Sequence, residues 1–179
     1  VANDQALVID GSSYYGFAAY TAAWVALPVS PNATVLNPTP QQNDSIWLVL
    51  DGNDVWAFTA FRGSWVSTPA VAPPTAFRAR GTTAVAASAA GIQGFSALTN
   101  AWASSPAPGP APTLAVNDDL QVISSSGNFI GFSGLRGTFA AISLPTVTLT
   151  TGETVCHATD GAGQHWAYSA VRSTWTTLP

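Results

Sequence analysis

Apolar and polar positions alternate along this chain in runs of about five residues, and turn-forming residues separate the runs. A period of two places successive side chains on opposite faces of an extended strand. The runs are rich in Val, Ile, Thr and aromatics and are bounded by Gly, Pro, Asp and Ser, which reads as strands. They recur in sets of four, a to d. Segment a is clearest at Thr34–Asn37, Ala76–Arg80, Thr113–Asn117 and Thr146–Thr150. Segment b is Ala6–Ile9, Ile46–Leu50, Thr83–Ala87, Leu120–Ile123 and Thr154–Ala158. Segment c is Tyr15–Tyr20, Trp56–Phe61, Gly94–Leu98, Ile130–Leu135 and Trp166–Val171. Segment d starts near Trp24 and its counterparts.

A phrase ties the sets together. Phe17, Phe58, Phe95, Phe132 and Tyr168 are each followed seven residues later by Trp24, Trp65, Trp102, Phe139 and Trp175. Pro28, Pro69, Pro106 and Pro179 stand four residues further on, and in the fourth copy the proline slips to Pro145. The copies are 41, 37, 37 and 36 residues apart, a period that marks a repeat architecture.

The b–c links Asp10-Gly11, Asp51-Gly52 and Asp160-Gly161, with Gly91 and Gly127 in the other two units, are hairpin signals. The c–d links are expected to be equally tight: Thr21-Ala22, Arg62-Gly63, Thr99-Asn100, Arg136-Gly137 and Arg172-Ser173. Consecutive tight hairpins force an antiparallel meander. The alanine-rich stretch Thr82–Ala103 favours helix on propensity alone, but it keeps the register of the other copies and is expected to be strand.

A lone meander of this size cannot bury both of its faces, and stacking neighbours solves that. Radial stacking gives a β-propeller. The expected fold is therefore all-β, a five-bladed β-propeller of short four-stranded antiparallel blades. It forms a single domain over 1–179, with units at about 1–30, 31–71, 72–108, 109–145 and 146–179. Val1–Asp4 resembles Ala115–Asp118, the end of an a segment, so the two chain ends are expected to fit ring closure.

Composition narrows the function. Hydrophobic residues make up 47% of the chain and charged residues 8%, against about 25% in a typical soluble domain. There is no lysine, and a net charge of −4 with five arginines argues against nucleic acid and anionic membrane surfaces. No apolar run is long enough to cross a bilayer. The chain starts at Val1, which suggests a processed form. Cys156 is alone, so no internal disulfide forms, and it is expected to be a small buried hydrophobe. The low-charge, polar-neutral surface points to a secreted, periplasmic or cell-surface setting.

Tyr168-Ser-Ala-Val-Arg-Ser-Thr-Trp175-Thr-Thr-Leu-Pro179 resembles the kelch phrase, in which Tyr is followed by Trp seven on and Pro four further. Leu7-Val8-Ile9-Asp10-Gly11 and Leu48-Val49-Leu50-Asp51-Gly52 resemble the apolar kelch strand that ends in a glycine pair. The resemblance covers all five units, as a short-blade variant of the kelch-like repeat. It implies a propeller of four-stranded blades with a binding or scaffolding role. The double glycine is absent, and the repeat is shorter than the usual ~50 residues.

Residues shared by all copies serve folding, so function should sit where the copies differ. Trp47, Trp56 and Trp166 lie outside the repeat phrase, with Trp56 and Trp166 aligned to Gly16, Gly94 and Gly131. Each either fills a gap between blades or offers a platform for a sugar ring or a partner's apolar side chain. Cys156, His157 and His165 share one unit, but strand neighbours point to opposite faces and a fuller ligand set is missing, so no metal is expected. Asp10, Asp51, Asp54 and Asp160 suit hairpin turns; a calcium or sugar-hydroxyl site is the alternative, without calcium-loop spacing. Arg62, Arg136 and Arg172 occupy matching c–d turns. They are expected to form rim salt bridges with Asp44, Asp118, Asp119 and Glu153, or else to line a recognition face.

No nucleophile elbow, phosphate loop or zinc-protease motif occurs. The reading is a non-catalytic protein-interaction or structural module without cofactor, an extracytoplasmic accessory subunit or self-assembling surface protein. Its partners are other proteins or copies of itself. The alternative is a carbohydrate-binding lectin with shallow glycan sites between blades.

Overall fold

The seven-residue spacing of the aromatic phrase is the spacing of a hairpin. In the computed structural model, which describes residues 4–37, 45–145 and 147–178, the two members of each phrase stand opposite each other on adjacent strands. The pairs are Phe17 with Trp24, Phe58 with Trp65, Phe95 with Trp102, Phe132 with Phe139 and Tyr168 with Trp175. Their ring centroids lie 4.7–5.3 Å apart in tilted contact, a favourable aromatic geometry.

Blade 1 comprises β1 (Gln5–Asp10), β2 (Ser13–Ala18) and β3 (Ala23–Pro28). Its expected first strand, at Val1–Asp4, falls mostly outside the described residues. Blade 2 comprises β4 (Thr34–Val35), β5 (Ile46–Asp51), β6 (Asp54–Thr59) and β7 (Ser64–Pro69). Blade 3 comprises β8 (Ala76–Arg80), β9 (Thr83–Ala87), β10 (Ile92–Ser96) and β11 (Ala101–Ser105). Blade 4 comprises β12 (Thr113–Val116), β13 (Leu120–Ser125), β14 (Asn128–Ser133) and β15 (Thr138–Ser143). Blade 5 comprises β16 (Val147–Thr151), β17 (Val155–Asp160), β18 (His165–Ser169) and β19 (Thr174–Thr177). Strands pair in sequence order within every blade. The architecture is the all-β, five-bladed propeller that the repeat predicts, and the alanine-rich stretch forms β9, β10 and the start of β11, joined by turns, with no helix.

The c–d links differ from expectation. They are four residues long rather than two, for example Ala19 to Ala22 between β2 and β3. The last link residue takes positive φ in every copy: Ala22, Gly63, Asn100, Gly137 and Ser173 lie between 51° and 65°. A two-residue link would shift the register and pull Phe17 away from Trp24, so the aromatic pair selects the longer loop. The c strands accordingly end about two residues earlier than the apolar pattern suggests.

Blades pack by seating an aromatic side chain on a residue too small to resist it. Phe58, Phe95, Phe132 and Tyr168 are wholly buried. A Cβ at Gly16 would lie 2.7 Å from Phe58, one at Gly94 2.7 Å from Phe132, and one at Gly131 2.6 Å from Tyr168. These glycines are kept for close approach of neighbouring groups. Ala57 takes the same place in blade 2 and shares a buried cluster with Phe95.

Two hydrogen bonds recur at the junctions. The tryptophan of one blade donates its indole N–H to a carbonyl of the blade before: Trp65 to Val25 at 3.1 Å, Trp102 to Val66 at 2.9 Å and Trp175 to Ala140 at 3.0 Å. A serine at the end of the third strand donates to the blade after: Ser96 to Gly134 O and Ser133 to Ala170 O. Each blade thus has a knob face, carrying the aromatic pair, and a socket face, carrying the small residue.

The buried clusters lie at four junctions, between blades 1 and 2, 2 and 3, 3 and 4, and 4 and 5. The expected ring closure differs: among the described residues no buried cluster joins blade 5 to blade 1. The knob face of blade 1 and the socket face of blade 5 are open.

Candidate functional site

The open knob face of blade 1 is built by strand alternation. Ala6, Phe17 and Trp24 lie in one row across β1, β2 and β3, and Val8, Tyr15 and Ala26 lie in the next. Phe58, Phe95, Phe132 and Tyr168 are fully buried where their counterpart Phe17 is half-buried, and Trp65, Trp102, Phe139 and Trp175 are half-buried where Trp24 is 52% exposed; Val8 is 47% exposed. Trp24 keeps its contact with Phe17 at 5.1 Å. Its indole N–H meets no acceptor among the described residues, unlike Trp65, Trp102 and Trp175.

The open socket face of blade 5 carries Val155, His157, Thr159, His165, Ala167, Ser169 and Thr176. Ala167 holds the small-residue place. His157 occupies the position of Leu48, Val85 and Val122, and His165 that of Val55, Ile92 and Phe129, all of them buried apolar residues in inner blades. The imidazoles stack at 5.1 Å, with His157 Nε2 and His165 Nδ1 3.0 Å apart and Thr159 Oγ1 3.2 Å from the latter. Beside them a shallow cleft of about 240 Å³ is lined by both histidines, Trp166, Ala167, Thr176, Thr177 and Leu178. The Ser169 hydroxyl accepts the Arg172 N–H at 3.3 Å, as Ser96 and Ser133 accept Thr99 and Arg136.

The candidate residues scatter. Trp47 is buried against Ala18 and Phe58 at the first junction, its indole N–H unpartnered among the described residues. Trp56 is half-buried against Tyr14, Leu27 and Val29 at that junction. Trp166 packs on blade 4, and its indole N–H is also buried and without a partner among the described residues. The register corrects one alignment: Trp56 and Trp166 correspond to Tyr15, Gln93 and Ile130. The glycines correspond instead to Ala57 and Ala167. Trp56 and Trp166 therefore share a face with Phe58 and Tyr168, two residues on.

Among the described residues the expected rim salt bridges of Arg62, Arg136 and Arg172 do not form. Arg62, Arg136 and Arg172 are exposed. Arg136 donates through Nε to the Val171 carbonyl. The ion pair among the described residues is Arg80 with Asp118, at 2.8 Å across the junction of blades 3 and 4. Asp44 lies outside the described residues. Asp160 closes its turn by accepting the Ala162 and Gln164 N–H at 2.9 Å, whereas Asp51 accepts the Ser30 N–H at 3.1 Å and the Ser30 hydroxyl and so ties the end of β5 to the link that follows β3.

Cys156 is buried, and burial pushes its thiol up to about 11. A thiolate is not available there near neutral pH. Burial likewise pushes the Tyr168 phenol up to about 12, opposed by its hydrogen bond to Ser173.

No known family model and no curated protein matches the chain. Solved structures do. The crystal structure of HIRA(644-1017) is 14% identical with a TM-score of 0.49, over 84% of this chain and 57% of that one. Kluyveromyces lactis Hsv2 is 9% identical with a TM-score of 0.43, over 97% of this chain and 59% of that one. BamB from Moraxella catarrhalis is 18% identical with a TM-score of 0.36, over 99% of this chain and 61% of that one. The chain thus spans about three fifths of each of these structures.

Proposed function

We propose that the chain is a non-catalytic protein-interaction module whose contact surfaces are the open end faces of its blade row. It acts as an extracytoplasmic accessory subunit or a self-assembling surface protein, built on a short-bladed relative of the kelch repeat. The observation that carries the reading is Trp24. Four other copies of its aromatic pair seal a blade junction, whereas Trp24 stands half-exposed beside Phe17 and Val8 with its indole N–H free. Apart from Asp10 at one edge of the knob face, the strand residues on the two end faces include no Arg, Asp or Glu, so docking there desolvates little charge.

A photo-crosslinking residue at position 24 of the intact protein tests this in the source cells. Protein adducts are expected from position 24 and not from Asn53 in an exposed turn of blade 2. No adducts, or equal yields at both positions, would overturn it. Cell fractionation tests the setting, with the protein expected outside the cytoplasm.

One observation favours the second reading, a lectin. The cleft on the blade 5 socket face sets two imidazoles beside two threonines and Leu178, groups that suit a sugar's hydroxyls and apolar face. A glycan array with no binder would dispose of it.

A further inference from the structure

We infer that the knob face of blade 1 docks on the socket face of blade 5 of a second copy of this chain, head to tail. This rests on the docking reading above and names its partner. The occupant follows from the four internal junctions, which show what such a face receives.

Each element of an internal junction has its unpaired half on the two open faces. The indole N–H of Trp24 lacks the carbonyl that Val25, Val66 and Ala140 supply to Trp65, Trp102 and Trp175. The residue at that register in blade 5 is Thr176, directly after Trp175 and opposite Ala167. The hydroxyl of Ser169 is set like those of Ser96 and Ser133, which reach Gly134 and Ala170 in the blade that follows. The corresponding carbonyl on blade 1 belongs to Ala19, two residues after Phe17 as Gly134 and Ala170 follow Phe132 and Tyr168. Phe17 lacks a small residue to sit on, and Ala167 lacks an aromatic to receive.

The polar exceptions also match. At the junction of blades 4 and 5, Phe129 packs in one cluster with Trp166. At that of blades 3 and 4, Ile92 packs with Ile130. The same two places on the open faces hold His165 and Tyr15. An imidazole meets a phenol there, where the inner junctions bring two apolar groups together. The contact is heterologous, so it propagates until the rotation closes a ring.

Sedimentation velocity on the intact chain and two charge variants tests this. Trp24→Arg spoils the knob face and Ala167→Arg the socket face; thermal melts and circular dichroism establish that both fold. The wild type is expected to associate beyond a dimer with rising concentration, and each variant alone to stay monomeric. An equimolar mixture should form a heterodimer and nothing larger, because each variant supplies one sound face. The milder Trp24→Phe keeps the ring, loses the indole N–H and should weaken association several-fold. If the wild type associates but the mixture gives no heterodimer, the copies meet by another surface; head-to-tail docking falls and the docking reading stands. A wild-type monomer in which Trp24 resists acrylamide, judged by difference from Trp24→Phe, means closure within one chain and overturns the inference. A monomer with Trp24 freely quenched, together with absent crosslinks at position 24, removes both.

Discussion

Gly131→Ala tests the knob-and-socket junction at its tightest point. The added Cβ would lie 2.6 Å from the Tyr168 ring, where ordinary contact begins at 3.4 Å, so the ring must retreat by about 0.8 Å. It has little freedom to do so. Tyr168 is wholly buried, lies 5.3 Å from Trp175 in tilted contact and shares a 3.1 Å hydrogen bond with Ser173. Overpacking of this kind costs about 1–3 kcal/mol. Loss of chain freedom in the unfolded state returns about 0.4–1 kcal/mol. A net loss of about 1–2 kcal/mol is expected, read as a fall in Tm of ~2–8 °C for a chain of this length. Urea denaturation followed by tryptophan fluorescence gives the energy directly. Gly131→Ala combined with Tyr168→Leu, which shrinks the knob, should show a favourable coupling of about 1 kcal/mol or more. A Gly131→Ala protein within ~0.5 kcal/mol of wild type would refute the steric reasoning.

Other outcomes follow from the same geometry. The unfolded chain releases the Cys156 and Tyr168 protons from their ordinary values of 9.0 and 10.0, whereas the folded chain holds them to about 11 and 12. Stability from these groups is therefore full below pH 9 and drains as pH rises through 9–12. Tyr168→Phe, the residue the four other blades use, should flatten that alkaline limb in pH-dependent melts; an unchanged slope would contradict the assignment. Trp102→Phe removes a 2.9 Å bond to Val66 O and should cost ~1–2 kcal/mol in urea denaturation, whereas no change would show the bond to be idle. Ala22 is exposed at φ 51°, so Ala22→Gly should stabilise by up to ~1 kcal/mol in thermal melts; destabilisation would mean the loop conformation is not strained.

The blades were legible because they are written five times. The alternation gave the strands, and register with its sister copies carried Thr83–Ala87 against its helical propensity. Loop length was less legible. Thr21-Ala22 looks like a two-residue turn, but Phe17 facing Trp24 requires four, and a side-chain pairing across strands leaves no local mark at the turn. The glycine positions are not legible by alignment alone, because Trp56 and Trp166 stand one residue before Ala57 and Ala167, whose smallness only the packing explains. Ring closure was inferred from the likeness of Val1–Asp4 to Ala115–Asp118, but whether two faces meet depends on geometry summed over all the blades. The open faces were legible in one respect: the histidines of the last unit replace residues that are apolar in the inner ones.

Native-state hydrogen exchange, resolved by residue, measures most directly whether the blades form a row with open ends. In a repeat array each unit draws stability from its neighbours. Protection should peak in β5, β6, β9, β10, β13 and β14, which have a sealed junction on either side, and fall toward β2 and β3 at one end and β18 and β19 at the other. Equal protection across all five blades, with the Trp24 indole N–H as slow as that of Trp102, would show a fifth sealed junction and contradict the open row.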